Sequence, residues 1–255
     1  MRASVPSSSL NLRPELSLVF PAFDEAQNLG PLLARALEIG HGLARRFEII
    51  VVDDGSRDGS ADLVAARAAE YDQIRLIRHR DNRGYGAALR AGLREARGDL
   101  VFFSDADLQF DLAELAVLVE HARDFDVVAG YRAPRRDPWG RRLLAACWGT
   151  LVRSLFGLPV RDIDCAFKIF RRPVLQTLPI SSLSAFVNTE ILVRARSAGF
   201  RLHQVPVSHH PRLHGRQSGA NPRVIARALR ELVLLYTELR RPGLDPGLLR
   251  GVDSP

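Results

Sequence analysis

The sequence predicts an α/β fold: a mostly parallel central sheet with helices on both faces. Three observations predict it. Strand-like and helix-like segments alternate through the first half, an order that builds parallel sheets covered on both sides. The strand-like runs are short and mostly apolar, as in strands buried on both faces. Three of these runs end in carboxylates, and open α/β sheets bind ligands beyond the carboxyl ends of their strands.

Leu16 to Phe20 is a short apolar run and reads as the first buried strand. Asn28 to Ile39 has Pro31 at a first-turn position and apolar Leu33, Ala36 and Leu37, and reads as a helix. Phe47 to Val52 is the second strand, closed by Asp53-Asp54-Gly55-Ser56, and Asp58 to Glu70 is the next helix. Ile74 to Ile77, Leu100 to Phe103 and Asp126 to Ala129 read as strands three to five, with helices at Gly86 to Ala96 and Leu112 to Ala122 between them. In the second half, Asp162 to Phe170 is strand-like, Thr189 to Ala198 helical and Leu202 to Val207 a strand. Two basic amphipathic helices are expected near residues 139–156 and 223–239. Each is read either as packing its apolar stripe inward or as lying against a membrane surface. The expected organisation is a tail over 1–14, one domain over 15–240 and a second tail over 241–255.

The 255 residues suffice for one large domain with its own core. The hydrophobic share of 46% and charged share of 25% are those of an ordinary globular protein, which excludes collagen-like and polytopic membrane classes. No signal-like h-region follows Met1, and no apolar run reaches the roughly 18 residues of a span, so a cytoplasmic setting is expected. Cys147 and Cys165 are too few for a disulfide framework and read as buried small hydrophobes. His203, His209, His210 and His214 cluster in sequence but lack the helical i, i+4 pair of zinc proteases. The net charge of +7 is carried by arginine, and Lys168 is the only lysine. Such a balance suits nucleic acid, an anionic membrane or phosphorylated ligands.

The acidic stretches narrow that choice. Phe23-Asp24-Glu25, Asp53-Asp54-Gly55 and Asp105-Ala106-Asp107 each follow a strand. Asp24 and Asp58 also fit the plain role of helix N-caps. Two aspartates at i, i+2 exceed what one cap needs. Asp105 and Asp107 can hold a hard cation whose other ligands are water and substrate phosphates, with Gln109 close behind. A carboxylate rim repels nucleic acid unless a cation intervenes, so no nucleic-acid partner is expected.

These residues resemble a known family. Val19 to Glu25, Glu48 to Ser56, Asn82-Arg83-Gly84-Tyr85-Gly86, Asp105 to Gln109, Asp162 to Lys168, Val205-Pro206-Val207 and Arg212 to Arg216 together resemble family 2 glycosyltransferases. The group in question is the polyprenyl- or dolichyl-phosphate mannosyl- and glucosyltransferases, and the likeness runs from about Leu16 to Arg240. It implies the GT-A nucleotide-diphospho-sugar transferase fold, an Mg²⁺ or Mn²⁺ cofactor and an inverting hexosyl transfer from a GDP-mannose or UDP-glucose type of donor to a polyprenyl phosphate. It also implies residue roles. Pro21, Phe23, Glu25, Val52 and Asp54 match nucleotide contacts. Asp105, Ala106 and Asp107 match the diphosphate contacts, with Asp105, Asp107 and Gln109 on the metal. Arg132, Arg212 and Arg216 match arginines at the donor phosphates. Asp162, Asp164 and Lys168 match the catalytic and acceptor end. Two stretches depart from the pattern. Phe23-Asp24 stands where many members have Tyr-Asn. Gln217-Ser218 stands where many have Ser-Lys, so Arg216 has to supply the second charge of that loop.

The acceptor can be weighed physically. A hydroxyl needs a base, for which Asp162, Asp164 and Glu190 are candidates. A lipid monophosphate, with a second pKa near 6, is already a nucleophile and needs only cations to gather it. Lys168, Arg132, Arg212 and Arg216 fit that need. The expected site of action is the cytoplasmic face of an anionic membrane, with the protein bound peripherally. A hydroxyl acceptor is the alternative reading, and a non-catalytic basic binding protein is a further one.

Overall fold

A computed structural model describes residues 15–134, 139–214 and 222–240. Both expected tails, and Arg216 with Gln217 and Ser218, lie outside the described residues. Seven strands form one sheet in the order β3-β2-β1-β4-β6-β5-β7. They are β1 (Leu16–Ala22), β2 (Phe47–Asp53), β3 (Ile74–Arg78), β4 (Leu100–Ser104), β5 (Val127–Arg132), β6 (Phe167–Arg171) and β7 (Leu202–Val207). The helices are α1 (Ala26–Leu43), α2 (Ser60–Glu70), α3 (Tyr85–Glu95), α4 (Leu115–His121), α5 (Trp139–Phe156), α6 (Arg172–Thr177), α7 (Val187–Ser197) and α8 (Pro222–Leu239). A 3-10 turn, Leu112–Glu114, leads into α4.

β1 pairs in parallel with β2 and β4, β2 with β3, and β5 with β7. β6 alone runs antiparallel, inserted between β4 and β5. It sets Lys168 level with Phe103 on one side and Ala129 on the other. Every residue of β1 and β2 is buried, the polar Ser17 and Glu48 along with the apolar majority. Phe103 stacks on Phe170 with centroids 5.9 Å apart, and Phe102 meets Phe167 edge-on at 4.7 Å. Truncating one of these rings to Ala should cost about 3–5 kcal/mol.

Three elements differ from expectation. α1 begins at Ala26, so Pro31 sits inside the helix and not in its first turn. The early start has a cause: Ala26 N donates to Asp58 Oδ2 and Glu25 N to Ser60 Oγ, so the next loop caps this helix. The strand expected from Asp162 begins only at Phe167, and residues 162–166 form a turn beside the sheet. α6 had no sequence expectation; it starts with Pro173 in its first turn.

The edge opposite the strands' carboxyl ends is fastened by one carboxylate. Glu48 Oε1 accepts from Ser17 Oγ at 2.6 Å and Arg97 N at 2.6 Å, and its Oε2 accepts from Arg75 Nη1 at 2.7 Å.

Candidate active site

The carboxyl ends of β1, β2 and β4 meet at one rim, and each brings its acidic stretch there. The first two loops brace each other. Asp24 Oδ1 accepts from Arg57 N at 2.8 Å, Asp24 N donates to Ser56 Oγ, and Asp58 returns the tie to Ala26. Thus Asp24 caps backbone across loops and not on its own helix, whereas Asp58 does both: its Oδ2 accepts from Ala26 N and its Oδ1 from Ser60 N, the first residue of α2, at 3.0 Å. Asp24 and Leu108 are the non-glycine residues with positive φ among those described, at 54° and 60°, and both lie in rim loops. Leucine adopts that region only where its surroundings impose it.

Pro21 is buried at the end of β1 and pairs in register with Val52. Phe23 follows with 44% of its surface exposed, open to a ligand. Val52 is fully buried between β1 and β3, so neither its side chain nor its backbone is open to a nucleotide. Asp54 is buried and already engaged. Its Oδ1 lies 2.7 Å from His79 Nδ1 and accepts from Arg83 N at 3.0 Å, while Oδ2 accepts from Gly84 N at 2.8 Å. It therefore shapes the Asn82–Gly84 loop, and its carboxylate is no open ribose contact. His79 had no sequence signal.

Asp105, Ala106 and Asp107 follow β4. Asp105 Oδ1 is covered and has no hydrogen-bond partner. Burial, then the charge of Asp107, pushes the Asp105 carboxyl up to about 7. Asp107 is raised as well, chiefly by burial and against the pull of Gln109 N and Arg212. Its Oδ1 accepts from Gln109 N at 3.2 Å. Among the described residues no three His, Cys, Asp or Glu side chains are grouped to hold a metal ion alone. Two carboxylates, one with an orphaned oxygen, instead fit an Mg²⁺ or Mn²⁺ ion that shares its ligands with a diphosphate. Gln109 ties down the later chain: its Nε2 donates to His210 O at 2.9 Å, and His210 N donates to Gln109 O at 2.8 Å. That tie brings in Arg212, which bonds Glu25 Oε1 and lies 3.4 Å from Asp107 Oδ2.

Arg132 ends β5 and forms a fork with Asp162. Nε lies 2.7 Å from Oδ2 and Nη2 lies 2.9 Å from Oδ1. Asp162 is thus the orienter of Arg132. Asp164, two residues on, is exposed. Lys168 corrects an expectation. It is fully buried, and its ammonium donates to Ile163 O, Cys165 O and Asn188 Oδ1, so it does not project into open space to gather a phosphate. Burial lowers its pKa, and Asp162, Asp164 and Asp105 act in the opposite sense. Its place between β4 and β5, as the second residue of an antiparallel strand, hides it. The buried Tyr85 hydroxyl sits beside Asp105 and Asn188, which completes a polar floor under the rim.

Glu190 is also unavailable as a base. It is buried and accepts from Ser181 N, Ser181 Oγ, Ser182 N and Arg194 Nε. Cys165 is buried as expected, with its thiol pushed up to about 12 by burial, but Cys147 is exposed on α5. α5 turns Val152 inward and leaves Trp139, Leu143, Leu144 and Leu151 exposed; α8 buries Leu232 and Leu235 and exposes Leu229, Val233 and Leu234. Phe156 of α5 meets Tyr236 of α8 edge-on at 5.9 Å. Among the described residues no helix is long and apolar enough to cross a membrane.

The comparisons with known proteins agree with this architecture. The chain is 38% identical over 206 residues to the undecaprenyl-phosphate 4-deoxy-4-formamido-L-arabinose transferase of Pseudomonas aeruginosa (strain LESB58), which covers 78% of this chain and 59% of that protein. It is 33% identical over 208 residues to the dodecaprenyl-phosphate galacturonate synthase of Rhizobium johnstonii, covering 79% of this chain and 60% of the other. The chain therefore spans about 59–60% of the length of these relatives. Among solved structures, glucosyl-3-phosphoglycerate synthase from Mycobacterium tuberculosis with Mn²⁺, UDP-glucose and phosphoglyceric acid superposes with a TM-score of 0.68 at 20% identity, covering 91% of this chain and 81% of that one. Mannosyl-3-phosphoglycerate synthase from Rubrobacter xylanophilus gives a TM-score of 0.67 at 21% identity, covering 90% and 75%. The fold is the expected GT-A fold, with one antiparallel strand in its sheet. The profile of glycosyl transferase family 2 matches residues 17–178, more than half the chain, and this protein belongs to that family.

Proposed function

We propose that this chain transfers a sugar from a nucleotide-diphosphate donor to a polyprenyl phosphate at a membrane surface. The observation that carries the reading is the rim of Asp105 and Asp107, with its orphaned carboxylate oxygen, in a protein that also exposes apolar faces on α5 and α8. The polyprenyl-phosphate transferases among its relatives support the acceptor class.

Asp105 and Asp107 would hold Mg²⁺ or Mn²⁺, with Gln109 beside them. When bound, that ion would neutralise the donor diphosphate and make it a better leaving group. Phe23, half-exposed at the end of β1, would face the nucleotide. Arg132, locked by Asp162, and Arg212, released from Glu25, would meet phosphate oxygens; Arg216 is the further cation of the same loop. An oxygen of the lipid phosphate attacks the anomeric carbon from the face opposite the diphosphate. The carbon–oxygen bond to the diphosphate breaks, its electron pair leaves with the nucleoside diphosphate, and configuration inverts. No proton has to be removed, because the lipid phosphate is already anionic at neutral pH. The engagement of Glu190 and Asp162 by arginines favours this over a hydroxyl acceptor, which would need a base.

The protein would sit peripherally on the cytoplasmic face, with Trp139, Leu143 and Leu144 of α5 and Val233 and Leu234 of α8 in the interface. Arg227, Arg230 and Arg240 are exposed on and just after α8, and each basic group near an anionic surface adds about 1 kcal/mol. The test is a donor screen by thermal shift with and without Mn²⁺, followed by transfer to undecaprenyl phosphate or to soluble alcohols. Mn²⁺-dependent stabilisation by one nucleotide-sugar and transfer to the lipid phosphate is expected, lost in Asp105→Asn/Asp107→Asn. Transfer only to alcohols would overturn the acceptor assignment.

A further inference from the structure

Four residues between α6 and α7 are held by two acidic side chains. Glu190 of α7 accepts from Ser181 N and Ser182 N, as described above. From the other side, Glu231 of α8 accepts from Ser182 Oγ at 2.7 Å and Ser184 Oγ at 2.6 Å through a single oxygen, Oε2. Ser182 and Ser184 are both buried. A second carboxylate of α8, Glu238, forks onto Arg194 of α7 with both bonds at 2.9 Å. α8 is therefore fastened to this strap by hydrogen bonds of a charged acceptor, which are among the stronger kind.

The strap in turn sets the rim. Gly86 N donates to Leu183 O at 3.1 Å. A Cβ on Gly86 would stand 2.6 Å from Ser184 O and 2.7 Å from Ser182 O, and one on Gly84 would stand 2.5 Å from Leu183 O. The two backbones touch so closely that only glycine fits, and a shift of the strap has to move the loop with it. That loop is the one whose Arg83 and Gly84 amides Asp54 grips, and it leads into Tyr85, whose hydroxyl lies beside Asp105.

We propose that Glu231 is a positioning residue for the donor rim, acting through Ser182 and Ser184 on the Gly84–Gly86 loop. It touches no substrate. It ties the amphipathic helix α8 to the loop that Asp54 and Asp105 frame. The proposal rests on reading that rim as the donor site.

The test uses the full chain and UDP or GDP, whichever the wild type binds more tightly with Mn²⁺. Glu231→Ala and the pair Ser182→Ala/Ser184→Ala should each weaken that binding by about 5- to 10-fold. The triple variant should be no worse than either, because all three groups serve one contact. Glu231→Gln, which keeps an acceptor oxygen, should recover part of the loss. KM for the lipid phosphate should stay within about twofold, and amide exchange at Gly84–Ala88 should quicken without nucleotide. Unchanged nucleotide affinity and unchanged exchange, with only a fall in Tm, would overturn the proposal and leave Glu231 a packing residue. If the wild type bound neither nucleotide, the donor reading itself would fall. Exchange at Gly84–Gly86 would then judge the mechanical link alone, and unchanged protection in Glu231→Ala would end it.

Discussion

Arg212 Nη1 reaches across 105 positions of sequence to lie 3.4 Å from Asp107 Oδ2, while its Nη2 bonds Glu25. A side chain assigned by resemblance to donor phosphates thus lies between two carboxylates of the acidic rim. The same guanidinium has two competing employers, the carboxylates and the incoming diphosphate.

That competition gives effects of opposite sign. Arg212→Met should tighten Mn²⁺ binding to the nucleotide-free protein, because an internal cation no longer opposes the ion. It should also weaken nucleoside diphosphate binding, by about tenfold for the loss of one charged contact. Calorimetric titration with Mn²⁺ alone, then with UDP or GDP, measures both. A parallel loss of both affinities would show that Arg212 only supports the fold.

The raised Asp105 carboxyl predicts a pH dependence. In the folded chain it keeps its proton up to about 7, whereas an unfolded aspartate has lost it by about pH 4. Between those values the folded state binds more protons, so this group's contribution to stability falls as pH rises through that window. Asp105→Asn should therefore make the metal-free protein more stable at pH 8 than the wild type, while at pH 4 the two should be close. Divalent ions need the ionised carboxylate, so Mn²⁺ affinity should rise with pH through about 7. Chemical denaturation at several pH values, with and without Mn²⁺, checks both signs.

Glu48 makes a prediction at the opposite edge. Its carboxylate serves Ser17, Arg75 and Arg97 while buried. Glu48→Ala strands those donors and should cost about 3 kcal/mol in urea unfolding. Nucleotide affinity should not change, since the strands separate this cluster from the rim.

The exposed apolar residues predict membrane behaviour. Replacing Leu143, Leu144, Val233 and Leu234 by Ser should lower binding to vesicles containing anionic lipid by at least about tenfold. Nucleotide binding should survive. Co-sedimentation with anionic and with neutral vesicles reads the result, and equal binding by wild type and variant would remove these helices from the interface.

Much of this molecule was legible because burial writes itself into sequence. β1, β2 and β4 are predominantly apolar runs, and the acidic stretches that follow them meet at one rim. The direction of β6 was not legible, since the periodicity of a buried strand is the same whichever way it runs. The fate of Lys168 was hidden for a related reason: a lone charge in an apolar run says nothing of whether its partners are ligands or backbone carbonyls. Asp162 and Arg132 are 30 positions apart, and Glu231 is 47 and 49 from its serines, so only the fold could pair them. Gly84 and Gly86 were a partial signal. Two glycines at the start of a helix mark a tight turn before α3, but not the strap whose carbonyls they admit.

The insertion of β6 also orders assembly. β1 to β4 find one another as neighbours in the sheet from the first 104 residues. β5 does not, because both of its neighbours, β6 and β7, are encoded after it. During synthesis, which proceeds from the amino terminus, the acidic half can pair its strands early. β5 then waits as an unpartnered edge until residue 171 has emerged, so it is the segment most in need of shielding while the chain is still being made.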